Sequence, residues 1–570
     1  MHRIQFIRSI ITLLLILEIS GCASTTLNNR RSPAWNEDDR NHIPKPEGNS
    51  EDQIWDIIDH YFFYEIGKAL DIGWTMRKIG YELGIVGKKE AVNLNSVDDT
   101  PNSSWFTHRH GMKRLTTDEL IRGPDMTDGP EASGAITIIK GKFEGGSLGF
   151  IIIDSRGDKY VLKFDGPGWY EMASAAEVIT TKFFYAAGYN VPENHIFYFH
   201  ASQLIIGPKV MVPTPDGRKR KMTREDLAEM LNSQSKRKDG KIRSVASKWL
   251  SGVPVGPFHF HGRRKDDPND RVEHDDRREL RGLRVLSSWL GDTDRRMANT
   301  LDMYVTDEND KSYIKHYLID MGSTLGSNWG RPHPPKYGNE YALDLVNISK
   351  AFLMAGYYED PWDYTDSMHY ESIGWFESEV FDPEKWVAVY PNPASENMTY
   401  RDAYWGSKIV MAFTDEDIEA IVKTGNLSDL KAERYLIETL IKRRNKIVSY
   451  WFSKVNPLDE FHVENSGSDG YIFRFTDMAL RAGVVEPDGN KYTVRVTNLR
   501  DNTVSKIKLA DDNSFLLPST RKSNGTLPDF EIEIRTQRGT QGFSGKAVGI
   551  NIVYREKRKE YEVVSVRRES

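Results

Sequence analysis

One cysteine in 570 residues, Cys22, closes off two common routes to stability. No intrachain disulfide can form, and no zinc site can be built on a set of thiolates. No apolar run reaches the roughly 18 residues that a membrane-spanning helix needs. Nor is there an excess of base: 77 Lys and Arg stand against 83 Asp and Glu, a net charge of −6. Without a global basic footprint, nucleic acid is not expected as a partner. Wholesale disorder is excluded too, because 39% of the residues are hydrophobic and 11% aromatic. A chain this long exceeds what one core supports, so two or three domains are expected.

The single cysteine has an informative setting. Arg3 and Arg8 precede the apolar run IITLLLIL, and ISGC closes that run with small residues. These are the proportions of a signal peptide, placed over residues 1–21. ISGC resembles the bacterial lipobox, in which the cysteine becomes the lipidated first residue of the mature chain. The resemblance implies a bacterial envelope lipoprotein anchored in the membrane through acyl chains such as palmitate on Cys22. Ala23 after the cysteine implies the outer membrane. An ordinary cleaved signal with an incidental cysteine is the alternative. Residues 22–50 are polar and read as a flexible tether.

From Asp52 to Ile79 apolar residues recur at helical spacing, which predicts one or two buried helices. AVNLNSVDDTPNSSWFTHRHG predicts an extended segment, anchored by Trp105 and Phe106. Residues 51–130 are therefore expected to pack on the body. His108 and His110 have no third ligand nearby and read as a surface loop. From Ala135 the period changes to two: AITIIKGKF, LGFIIID and YVLKFD predict strands. EMASAAEVITTKFFYAAG predicts a helix ending at Gly188, and VPENHIFYF a further strand.

Over 206–460 helices dominate. Thr223 with Asp226 makes a helix start, as does Thr414 with Asp417. Leu280, Leu283, Leu286 and Leu290 line one stripe of a core helix, and LKAERYLIETLIKRRNKIVSYWFSKV predicts another. The basic run from Arg218 to Lys241 reads as a solvated face, with substrate docking the minority view. VPVGPFHFHGRR predicts a strand, and VNPLDEFHVENSGSDG a linker. The alternating segments from YIFRF to AVGINIVYRE predict a β-sandwich over 468–570.

Chemistry concentrates between Trp289 and Ser323. Asp292 and Asp294 follow the core helix, Asn299 comes next, and a hairpin then delivers Asp320. Carboxylates and an amide oxygen converging at one end of a hairpin are hard ligands, suited to Mg²⁺ or Mn²⁺ with positions left for phosphate. Upstream, Lys163 sits among apolar strand neighbours, where an unpaired ammonium would be costly. Glu177 on the following helix is its natural partner, with Glu171 the lesser candidate. Gly145, Gly146 and Gly149 form a glycine turn whose N–H groups could cover phosphates.

In that order these motifs resemble the protein-kinase-like superfamily. There a strand Lys pairs with a helix Glu, a catalytic-loop Asp precedes an Asn by an intervening four residues, and Asp-Phe-Gly holds metal. DTDRRMAN and AEVITTKFFYAAGYNVPEN are most similar to atypical members: HipA-type toxin kinases, spore-coat kinases and Golgi secretory-pathway kinases. The resemblance spans about residues 135–460. It implies an α+β, two-lobed kinase-like fold, with a small β-rich N-lobe at 131–205 and a helical C-lobe at 206–460, followed here by the sandwich.

It also implies roles. Lys163 would contact the α- and β-phosphates, held by Glu177. Asp294 would accept or orient the proton of the acceptor hydroxyl. Asn299 and Asp320 would bind Mg²⁺ or Mn²⁺, and Gly145, Gly146 and Gly149 would cover ATP or another nucleotide. The expected function is γ-phosphate transfer to a protein or small molecule by an exported, membrane-anchored protein. The alternative is an inactive kinase-fold lipoprotein acting as an envelope scaffold, since the envelope is generally poor in ATP. A metal-dependent hydrolase would leave Lys163 unexplained. The pattern departs from the family where DMG replaces DFG, where Asp292 stands in place of His, and where no Ala-Pro-Glu segment follows.

Overall fold

The computed structural model describes residues 38–48, 87–142, 149–214, 218–234, 236–328, 330–342, 368–467, 470–510, 513–518, 529–539 and 546–569, with isolated positions between 73 and 81 and between 344 and 362. The expected signal peptide, Cys22, most of the tether and of the helices over 52–79, and Gly145 and Gly146 lie outside the described residues.

The period-two stretch folds as a meander of β1 (Ile136–Lys142), β2 (Gly149–Ile153) and β3 (Lys159–Lys163), each antiparallel to the next. Ile136, Ile138, Phe150, Ile152, Tyr160 and Leu162 share its buried face. That face sets the register, since a slip of one residue would turn all of them to solvent. Then come β4 (Asn194–Phe199), β5 (Leu204–Ile206), a small hairpin of β6 (Met211–Pro213) and β7 (Lys219–Lys221), and β8 (Ile242–Lys248). The six-stranded sheet has the order β4-β8-β3-β2-β1-β5. The β-rich unit thus does not end at 205, because β8 inserts between β3 and β4. The stretch between β5 and β8 is an excursion from this sheet.

Three helices accompany it: α1 (Thr117–Arg122), α2 (Met172–Ala187) and α3 (Arg224–Asn232). The Thr223–Asp226 capping box opens α3 as expected. In α2 every residue but Tyr185 is buried. One side contacts β4 and β8, while Ala175, Ile179, Phe183 and Phe184 join a second, helical core. A helix buried on every side belongs between two layers, and this one lies there, its few polar side chains such as Glu177 and Lys182 held by partners. Its start is fixed by Asp165, whose carboxylate accepts from the backbone N–H groups of Glu171 (2.9 Å) and Ser174 (2.8 Å).

The helical core is built on α4 (Arg278–Leu290), α5 (Tyr400–Met411), α6 (Asp415–Lys423) and α7 (Leu430–Ser453). Leu280, Leu283, Leu286 and Leu290 all enter it. β9 (Val253–Gly256), ahead of α4, joins β10 (Thr300–Thr306) and β11 (Ser312–Leu318), which follow it, in a sheet of order β11-β10-β9. Only Val253–Gly256 of the expected VPVGPFHFHGRR strand is extended in a sheet. Two-residue strands β12 (Ser327–Asn328) and β13 (Arg331–Pro332) follow.

Residues 87–116 strap this core, with Trp105 and Phe106 only 4% and 1% exposed. His108 and His110 are not a surface loop. His108 Nε2 lies 2.5 Å from the Thr100 carbonyl oxygen. His110 is buried; its Nδ1 accepts from Leu115 N–H, and its Nε2 lies 3.0 Å from the Ala412 carbonyl. Burial pushes its pKa down, against the pull of Asp417. Both rings pin the strap.

Beyond α7 the described chain is mostly strand, with one short helical turn over Met478–Arg481: β14 (Leu458–Asn465), β15 (Tyr471–Asp477), β16 (Lys491–Asn498), β17 (Val504–Ala510), β18 (Ser514–Leu516), β19 (Phe530–Gln537), β20 (Val548–Arg555) and β21 (Glu560–Arg568). The sheets β14-β15-β18 and β17-β16-β19-β20-β21 share one core, where Phe473 and Phe515 meet Val494, Ile532 and Ile550. Two sheets face to face over a common core make a sandwich. It begins at β14, within the expected linker. That strand is a polar edge, with only Leu458 fully buried, so its alternation is faint.

Candidate functional site

Lys163 ends β3, its side chain 13% exposed. Its Nζ donates to Glu177 Oε1 (3.2 Å) and Oε2 (3.1 Å) and to Asp320 Oδ1 (3.0 Å). Burial alone would pull this ammonium's pKa down, but the carboxylates of Asp320 and Glu177 more than offset it and hold it above the ordinary lysine value. Lys163 is therefore a fixed cation at neutral pH.

Glu177 is 1% exposed and held from behind. Asn194, the first residue of β4, donates from Nδ2 to Glu177 Oε1 (3.3 Å) and Thr181 Oγ1 (2.7 Å). Glu171 is elsewhere: it sits in left-handed backbone before α2, and its carboxylate accepts from Ser428 N (2.8 Å) and Oγ (3.0 Å). Glu177, not Glu171, faces Lys163.

Gly149 lies directly opposite Lys163 in the β2–β3 pairing. A Cβ there would stand 2.1 Å from the Leu162 carbonyl oxygen, so only glycine allows this approach. The described end of the glycine turn is therefore packed against the backbone of Lys163.

On the opposite side α4 stops at Gly291, in left-handed backbone. The acidic loop follows. Asp292 is buried against Arg295, whose Nε donates to its Oδ2 at 2.7 Å. Burial pushes the Asp292 carboxyl up, and Arg295 opposes this. Arg295 also donates to the carbonyls of Asn299 (2.8 Å) and Ile319 (3.0 Å). Ile319 N–H in turn donates to the Asn299 carbonyl at 3.0 Å. One guanidinium thus ties the loop to the chain just before Asp320, and Asp292 serves it as an anchor rather than as a base.

Asp294 accepts from Arg296 Nε (3.0 Å), and its carbonyl accepts from Asn299 Nδ2 (2.6 Å). The amide nitrogen of Asn299 is thereby committed, which makes Oδ1 its ligand atom. Asp320 follows β11 at φ 56°, a left-handed conformation that Asp tolerates, with its side chain 43% exposed. Met321 fills the helical core. At Gly322 an added Cβ would stand 3.1 Å from Glu177 Oε2. In DMG, then, Met supplies apolar bulk and Gly makes room for the acid beside Lys163.

Lys163, Glu177 and Asp320 are in direct contact, as are Asp294 and Asn299, and Arg295 joins the two sets. Sequence reasoning missed Asn194, Arg295 and Arg296. The two arginines inside an acidic loop were a signal for ion pairs; Asn194 gave none.

The site is a fixed ammonium between two acids beside a loop of oxygen donors, in a protein with a β-rich sheet region and a helical core. Such a set suits phosphate and a hard divalent cation. No protein-family model matches the chain, and no curated protein matches it. Among solved structures it is similar to the Golgi casein kinase at 11% identity and a TM-score of 0.28, over 72% of this chain and 96% of that one. It is also similar to the Golgi casein kinase with Mn/ADP bound, at 12% identity and a TM-score of 0.21, over 53% and 77%. Likeness of this size decides nothing about the cleft, whose case rests on its own distances.

Proposed function

We propose that the chain is a two-lobed, kinase-like phosphotransferase, with the six-stranded sheet and α2 as its small lobe. The observation that carries this reading is Lys163 Nζ within 3.2 Å of an acid from α2 and 3.0 Å of an acid from beyond β11. Three separate elements meet on one cation, at the strand position paired with Gly149.

Lys163 would bind nucleotide phosphates, positioned by Glu177 through Asn194. The oxygen donors of Asp320 and Asn299 fit Mg²⁺ or Mn²⁺ and would hold it. When bound, the ion neutralises phosphate charge. Asp294 would take the acceptor hydroxyl's proton, its carboxylate oriented by Arg296. Catalysis of this kind needs positioning and charge rather than a covalent intermediate, and the ion-paired loop supplies rigidity.

The acceptor would be a protein or a small molecule reached from the bacterial envelope, with the chain anchored through lipidated Cys22. Labelled palmitate should enter the wild type in cells and be absent from Cys22→Ser; equal labelling would remove the anchor from the proposal. Full-length protein should transfer labelled γ-phosphate from ATP with Mn²⁺ or Mg²⁺. Asp294→Ala should lower that rate roughly 10²- to 10⁴-fold while nucleotide still binds. Transfer unchanged in Asp294→Ala would refute its role. Nucleotide binding with no transfer in the wild type would favour the inactive envelope scaffold.

A further inference from the structure

Away from the cleft, the loop after α1 crosses the start of β4, and three ligand-type side chains meet there. One donor atom from each of Asp125, Glu193 and His195 lies within 4.8 Å of the other two. His195 Nε2 stands 3.7 Å from Glu193 Oε2, and Nδ1 stands 3.8 Å from Asp125 Oδ2. Both separations are too long for hydrogen bonds. The two acids thus flank the ring at different nitrogens; donors sharing one ion at bond lengths of about 2.0–2.2 Å stand about 3–4 Å apart, so a single imidazole nitrogen with one oxygen of each acid has only to draw in from the 4.8 Å span.

The cluster is also short of partners. His195 Nε2 and Asp125 Oδ1 are shut off from solvent and make no hydrogen bond. The side chains of Asp125, His195 and Glu193 are only 11%, 13% and 15% exposed. Burying polar atoms unpaired is costly, and a cation shared by them would remove the cost. A protonated His195 would balance charge as well, but it would need an acceptor within hydrogen-bond reach of each nitrogen.

The surroundings fix the donors. Lys182 Nζ occupies Asp125 Oδ2 at 2.6 Å, so Oδ1 is the oxygen left for an ion. Thr127 N and Oγ1 hold Glu193 Oε2 at 3.2 and 2.9 Å. Gly129, at φ 78°, brings backbone over the imidazole so closely that a Cβ would stand 3.0 Å from its Cγ.

We infer that Asp125, Glu193 and His195 form a binding site for a divalent transition metal of the zinc type, separate from the cleft. One imidazole and two carboxylates make three of four tetrahedral ligands, with the fourth left to water. Asn194, which holds Glu177, lies between two of the ligands. A bound ion would therefore fix the start of β4 and, on the kinase-like reading, the residue that positions Lys163.

The test is metal content, which does not depend on that reading. Full-length protein in detergent, stripped with chelator and reloaded with Zn²⁺ alone, should keep one tightly held ion per chain. Asp320→Ala, which disturbs only the cleft, should keep it too. His195→Gln and Asp125→Asn should bind roughly 100-fold more weakly or worse, with unchanged circular dichroism. X-ray absorption of the zinc-loaded wild type should show one imidazole in the ligand shell, a readout that needs no variant. An all-oxygen shell, no retained zinc, or equal zinc in His195→Gln would overturn the site.

Discussion

Asp320→Ala is expected to erase metal-dependent nucleotide stabilisation while leaving the fold standing. The side chain is 43% exposed and Lys163 keeps Glu177 as a partner, so truncation should cost only about 1–2 kcal/mol, part of it from placing Ala at φ 56°. Its effect on the ligand should be far larger, because Asp320 both offers metal oxygens and shares Lys163. At a nucleotide concentration 100 times its Kd, the wild type gains about 2.7 kcal/mol from binding. That gain, read as a thermal shift with ATP and Mn²⁺, should vanish in the variant, and phosphate transfer with it. A full shift retained in Asp320→Ala would mean the cation is held elsewhere.

The second large effect lies far from the cleft. Asp98, in the strap, is buried among three guanidiniums from three elements. Oδ1 accepts from Arg278 (2.8 Å) on α4 and Arg401 (2.7 Å) on α5, and Oδ2 lies 3.2 Å from Arg568 Nε on β21. Arg568 also donates to the Leu458 carbonyl at 2.6 Å, so this one carboxylate joins the strap and helical core to the sandwich. Burial pushes the Asp98 carboxyl up, but Arg278, Arg401 and Arg568 outweigh it and hold it well below the usual range.

Asp98→Asn would take one shared carboxylate from three guanidiniums that keep Asp402, Glu90 and Asp459 as partners, at a cost of about 3 kcal/mol, the low end for a broken buried pair. A depressed folded pKa means the stabilisation is fully present above the unfolded value of about 3.9 and is lost as pH falls below it. The gap between wild type and Asp98→Asn in urea midpoint should therefore be wide at pH 7 and narrow on acidification below pH 4. A gap that is small at pH 7, or widens in acid, would contradict the network.

Where local pattern decided structure, it was legible. Alternation from Ile136 to Leu162 marked β1–β3, and the polar start and glycine end marked α2. Lys163 among apolar strand residues demanded a nearby acid, and Glu177 supplied one. What escaped depended on long-range pairing. β8 carries little alternation of its own, and its place between β3 and β4 is set by their open edges. His110 is polar in sequence yet buried, because a carbonyl some 300 residues away meets it. Asn194 has meaning only once β4 lies behind α2. Asp292 and Asp294 are two like acids in the sequence, and the closing of Arg295 on Asp292 tells them apart.

The central claim, that the cleft at Lys163 holds a metal–nucleotide complex, is tested most directly by calorimetric titration of ATP into the full-length protein with and without Mn²⁺. Saturable one-to-one binding that requires the divalent ion is the expected result. No heat of binding, or binding indifferent to the ion, would contradict it.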